Sequence, residues 1–194
     1  IGAPYCNTLA GIIPVTLTGT HGGIYSATPA GLTINSTTGA ITPGTSAAGT
    51  YTVTYTIAAA DGCGIVASTT IVTINATPSV IVTNPAAACS PATVNITVPA
   101  VTAGSTPGLT FTYWTDAAAT IVFTTPLTAT TGTYYIKGTT IAGCFDIKPV
   151  TVTVNPSPIA IAFNNGPVCV GSLLNLVGGP LGLKTYAWTG PNGF

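Results

Sequence analysis

The run TYTVTYTIA at residues 50–58 alternates with a period of two. Tyr51, Val53, Tyr55 and Ile57 fall on one face and the threonines on the other, the signature of a strand with one face buried and one in water. The residues around it point the same way. Threonine is the dominant residue, with Val and Ile beside it, and β-branched side chains suit a pleated sheet better than a helix. Glu, Gln, Arg and Met are all absent, which removes most of the good helix formers. With 23 Gly and 16 Pro as punctuation, the composition predicts an all-β chain.

The 46% hydrophobic content is enough to bury a core and too high for a disordered segment. Charged residues make up only 3% of the 194 residues: Lys137, Lys148, Lys184, Asp61, Asp116 and Asp146. Without clustered Lys or Arg there is nothing to neutralise phosphates, so nucleic-acid binding is excluded as a function class. No apolar run approaches the roughly 18 residues that a spanning helix needs. The chain starts at Ile1 rather than Met and stops at Phe194, just after a Trp-bearing strand. The expectation is a window of a longer, processed protein.

The five cysteines fall into two registers. Cys6, Cys89 and Cys169 each precede a short loop and an alternating apolar stretch, spaced by 83 and 80 residues. Cys63 and Cys144 each lie in a Gly-Cys turn, 81 residues apart. The period is one unit of about 80 residues with an early and a late cysteine. Three units follow: residues 1–77, 78–157 and an incomplete 158–194. Pairing within units predicts Cys6–Cys63 and Cys89–Cys144, placed at one pole of each unit, with Cys169 unpaired in this window. A free reactive thiol is the rival reading of Cys169. Paired cysteines in small units imply an oxidising compartment, hence an extracellular, cell-surface location. Closing a loop of this length restricts the unfolded chain by roughly 4 kcal/mol in the chain-entropy model.

Strands are expected at residues 12–18, 32–34, 51–58 and 65–74 of the first unit, with Asp61-Gly62 in a hairpin turn. In the second they are expected at 80–83, 93–98, 109–114, 133–140 and 149–154. Residues 75–78 and the two-proline segment 155–158 read as linkers, the latter stiffened by its prolines. Short strands at this density predict an antiparallel sandwich, so the fold class is a tandem array of immunoglobulin-like β-sandwich repeats. Trp114 and Trp188 are expected as the core aromatics of units two and three, and Tyr25 as their substitute in unit one.

The segment TPAGLTINSTTGAITPGTSAAGTYTVTYTIAAADGCG, residues 28–64, resembles the He-PIG immunoglobulin-like and cadherin-like repeats of bacterial surface proteins. They share an apolar-Pro-x-Gly-Leu start, a Thr-Gly-x-Ile hairpin and an Ala-Gly-Thr-Tyr-x-Val strand. TYAWTGPNGF at 185–194 resembles PKD-like repeats in very large adhesins of gliding Bacteroidota, typically exported by the type IX system. The resemblance implies a surface-exposed repeat protein and carries over no catalytic residue.

No catalytic, metal or cofactor site is expected. His21 lies in a Gly-rich turn with no Ser–His–Asp arrangement. Asp61, Asp116 and Asp146 are isolated, whereas calcium needs clustered carboxylates. The sequons at Asn35, Asn75 and Asn95 arise readily in a Thr-rich chain. The Thr-x-Thr strings read as the watered side of amphipathic strands rather than an ice-binding face, which needs a flat array that twisted sheets do not supply. The leading functional reading is a non-enzymatic structural or adhesive region of a surface filament, fibre or stalk. Its partners are copies of itself or neighbouring repeats, with surface glycans as a second class. The alternative is a spacer or carbohydrate-binding module of a secreted enzyme. Sugar binding needs exposed aromatic side chains, and with both tryptophans assigned to cores only tyrosines, chiefly Tyr134 or Tyr135, remain for it.

Overall fold

A computed structural model describes residues 5–60, 62–180, 182, 185, 187 and 189. Asp61, Lys184 and Trp188 lie outside the described residues, and so does the expectation that Trp188 fills a core.

The alternating run forms the centre of the first sheet. β1 (Tyr5–Cys6), β2 (Ile24–Thr28), β3 (Gly49–Ile57) and β4 (Val66–Asn75) stand in the order β1-β4-β3-β2. β3 and β4 are an antiparallel hairpin running from Gly49 opposite Ile74 to Ile57 opposite Val66. β1 is parallel to the far end of β4, with Cys6 opposite Asn75. Tyr51, Val53, Val72 and Ile74 are buried together with Tyr25 and Ile41, while Thr50 and Thr52 face water. Tyr25 does take the core place expected of it, its ring 4.6 Å from that of Tyr55.

In the second unit, β5 (Ala88–Cys89) is parallel to β9 (Val154–Asn155). β6 (Thr110–Trp114), β7 (Gly132–Thr139) and β8 (Phe145–Val152) form an antiparallel sheet in the order β6-β7-β8. The core beneath it is Val94, Ile96, Val101, Ala129, Ile136, Val150 and Val152. Further on, β10 (Ile161–Asn164) and β11 (Leu176–Gly179) pair as a hairpin.

The facing layer of each unit is made of isolated bridges rather than strands. Residues 12–18 contribute only Ile13 opposite Ile41, and residues 32–34 only Ile34 opposite Ile41. Pro14 has no N–H for a ladder, and Gly11 at φ 96° turns the chain just before it. In residues 80–83, between Pro78 and Pro85, two N–H groups go to side chains, Val80 to Asp146 Oδ2 and Ile81 to Ser105 Oγ, each at 2.9 Å, while Thr83 N–H donates to the Val101 carbonyl. Residues 93–98 keep one bridge, Val94 opposite Ala129.

Candidate functional site

The cysteine pairing differs from the sequence expectation. Cys6 is bonded to Cys144, 138 residues away, with a Cα–Cα distance of 5.6 Å, and Cys63, Cys89 and Cys169 are free and exposed. The pairs Cys6–Cys63 and Cys89–Cys144 are therefore both corrected, and the reason is the register. Cys6 lies opposite Asn75, at the end of β4, whereas Cys63 lies in the turn before β4 begins. At 3.3 Å or so per strand residue the two stand about 30 Å apart, far beyond the roughly 7 Å a disulfide can bridge. Cys89, opposite Asn155, and Cys144, just before β8, are separated in the same way. The early cysteine sits at one pole of a unit and the late one at the other. At the junction, the late cysteine of the second unit meets the early cysteine of the first.

Three further contacts converge there. Asn7 Oδ1 accepts the N–H of Thr77 at 2.9 Å and its hydroxyl at 2.7 Å, tying the linker back to the first unit. Asp146 Oδ2 accepts the N–H of Val80, tying the other end of the linker to β8. Burial works against the ionised Asp146, but the Val80 N–H and Lys148, 3.2 Å away, outweigh it and hold the carboxyl below its ordinary range. A cleft of about 450 Å³ opens beside the disulfide, lined by Tyr5, Leu9, Gly143 and Phe145 among others.

Trp114 is the second departure. Across the sheet Tyr113 is opposite Ile136, which faces the core, so Trp114, opposite Tyr135, faces outward. The core aromatic places go to Phe111, Tyr113, Phe123 and Tyr134, the last two stacked at 4.1 Å. Trp114 and Tyr135 are half-buried on the solvent face. Tyr134, one of the two tyrosines considered for sugars, belongs to the core side.

The remaining candidates are dispersed. His21 is exposed and lines a shallow depression with Val15, Leu17 and Tyr55, and no acidic residue is among the described residues that line it. Asp116 accepts the N–H of Ile121 at 2.7 Å and the N–H of Thr120, which lowers its carboxyl pKa and closes a local turn. Among the described residues no three His, Cys or Asp side chains gather as metal ligands, and no helix is long and apolar enough to cross a membrane.

These features can be set beside known proteins. Residues 9–77 match the He_PIG family, Putative Ig domain. The match covers β2 to β4 and runs as far as Thr77, the linker residue that Asn7 holds. No curated protein sequence matches the chain. Among solved structures, a three-immunoglobulin-domain structure of titin, domains I67–I69 in a Glu-to-Ala variant, is similar at 13% identity and a TM-score of 0.34. It covers 87% of this chain and 69% of its own. The chain is all-β with an immunoglobulin-like domain.

Proposed function

We propose that this chain is a non-enzymatic, load-bearing repeat region of an extracellular surface fibre or stalk, of the adhesin kind. The observation that supports the reading best is the Cys6–Cys144 bond, which ties one unit to the next rather than a unit to itself. A bond within a unit stabilises that unit alone. A bond across the junction, flanked by the Asn7–Thr77 and Val80–Asp146 contacts, restrains the angle between units, which is what a stiff rod needs. The bond also favours an oxidising, extracellular setting, since thiols stay reduced in the cytosol. The resemblance of residues 185–194 to surface-adhesin repeats supports export to the cell surface by a type IX route.

The free cysteines extend the rule. Cys89, opposite Asn155, holds the place that Cys6, opposite Asn75, holds in the first unit. Cys63 holds the hairpin place of Cys144. A further unit docked in the same manner at either pole would be stapled there as well, giving a staggered chain of bonds along the rod. Small-angle scattering of the chain with and without reductant tests the reading. A rigid rod predicts that reduction, or Cys6→Ser, broadens the distribution of inter-unit distances while far-ultraviolet circular dichroism stays unchanged. An unchanged scattering profile would leave the bond without a mechanical role.

A further inference from the structure

The outer face of the β6-β7-β8 sheet carries an arrangement that a passive rod does not need. Residues opposite one another share a face, so three rows lie on it: Trp114, Tyr135 and Pro149; Thr112, Lys137 and Ile147; Thr110, Thr139 and Phe145. The indole N–H of Trp114 donates to Thr112 Oγ1 at 2.9 Å. Trp114 and Thr112 are two residues apart on one face, so this bond draws the ring along the strand rather than letting it stand away from the sheet. The Lys137 ammonium sits 4.0 Å from the Phe145 ring and 6.0 Å from the Trp114 ring. Lys148 is engaged by Asp146, whereas Lys137 has no carboxylate partner among the described residues. Phe145 also lines the cleft of about 450 Å³ at the stapled junction, so the face and the cleft are continuous.

We propose that this face is a binding track for an acidic glycan, a polysaccharide bearing carboxylates such as hexuronic acids. Trp114 and Tyr135 supply ring faces for stacking on sugar C–H surfaces, because an aromatic ring offers a broad apolar body at a wet boundary. Lys137 supplies the charge complementarity, with N–H donors still available for a carboxylate. Threonine hydroxyls at 110 and 139 border the rings and can exchange hydrogen bonds with sugar hydroxyls, while the Thr112 hydroxyl is taken up by the Trp114 indole and the Lys137 carbonyl. From Tyr135 to Thr139 the track runs about 13 Å at strand spacing, and the junction cleft, within the size range of small-ligand sites, extends it. A protein partner would instead be expected to want a wider apolar centre than three rings, one isoleucine and one proline.

Intrinsic fluorescence can read the site, since the chain has two tryptophans and Trp188→Phe leaves Trp114 as the sole reporter. The full chain carrying Trp188→Phe would be titrated with polygalacturonate oligomers and, in parallel, with neutral dextran oligomers. The expected result is a saturable change in Trp114 emission with polygalacturonate alone, weakened by added salt. Calorimetric titration would show Trp114→Ala and Lys137→Met each binding at least tenfold more weakly, with thermal unfolding that shows both variants folded. Tyr134→Phe, on the opposite face, should bind like the parent. No binding of polygalacturonate, equal binding of dextran, or binding untouched by both outer-face substitutions would overturn the proposal. So would concentration-dependent self-association abolished by Trp114→Ala without any glycan binding, which would make the face a contact between copies.

Discussion

Trp114 and Ile136 occupy neighbouring strands yet belong to opposite faces, and the difference should be measurable as stability. Ile136 is fully buried, so Ile136→Ala is expected to cost about 2–5 kcal/mol. Trp114→Ala, half in solvent, should cost less than Ile136→Ala despite the larger side chain, as chemical denaturation of both variants would show. A single residue of parity in β6 decides this. From the sequence, TFTYW reads as a strand, but two adjacent aromatics, Tyr113 and Trp114, leave open which one points inward. Only the cross-strand register with Ile136 settles it. Asp146 gives a second expectation. Its carboxyl is held below its ordinary pKa in the folded chain, so it contributes stability above its unfolded pKa of about 4. That contribution should fade as pH falls through the folded value, and the fade should vanish in Asp146→Asn. A stability-versus-pH curve of both proteins below pH 5 or so checks it. The acid was visible in the sequence as an isolated residue, while its partner, a backbone N–H 66 residues earlier, was not.

At the level of elements, the hairpin β3–β4 lies within two residues of where the alternating pattern places it, because both strands have one buried face and a strict period. β7 is equally legible. The strands that failed to appear, at 12–18, 32–34, 80–83 and 93–98, are short apolar runs interrupted or flanked by Pro and Gly, and apolar content alone cannot show whether a backbone partner lies alongside. The turn at residues 35–40 is the best test of an element built by local chemistry. Asn35 Oδ1 accepts the N–H groups of Thr37 and Thr38, and Gly39 closes the turn at φ 73°. A Cβ at Gly39 would stand 2.8 Å from the Tyr25 ring, which is buried. Gly39→Ala therefore combines an unfavourable backbone with a clash against core, and should destabilise the first unit by more than the ~1 kcal/mol typical of such a backbone penalty alone. Calorimetry on the variant checks this.

On the scale of the whole molecule, the sheet edges differ in how they are guarded. β8 is an edge strand carrying Lys148 and Pro149, two residues that discourage pairing with another chain. β2, the edge of the first sheet, has neither, and Ile24 at its start is 64% exposed. On the fibre reading proposed above, copies would associate laterally through β2, where Tyr25 N–H already donates to the Ser36 carbonyl at 2.7 Å, and Ser26→Lys, in mid-strand, should suppress that association in concentration-dependent light scattering. The charge-poor surface that suggests such assembly was plain in the composition. The spacing of 80 to 83 residues between cysteines was equally plain, but spacing alone does not say at which pole a residue lies. That required the parallel pairing of Cys6 with the far end of β4. The central claim is that the units are joined by a covalent staple across their junction, and non-reducing peptide mapping tests it most directly. Digestion of the oxidised chain with pepsin at low pH, where thiolate exchange is suppressed, should release a peptide pair containing Cys6 and Cys144. Recovery of Cys6 joined to Cys63, or of Cys89 joined to Cys144, would contradict the account.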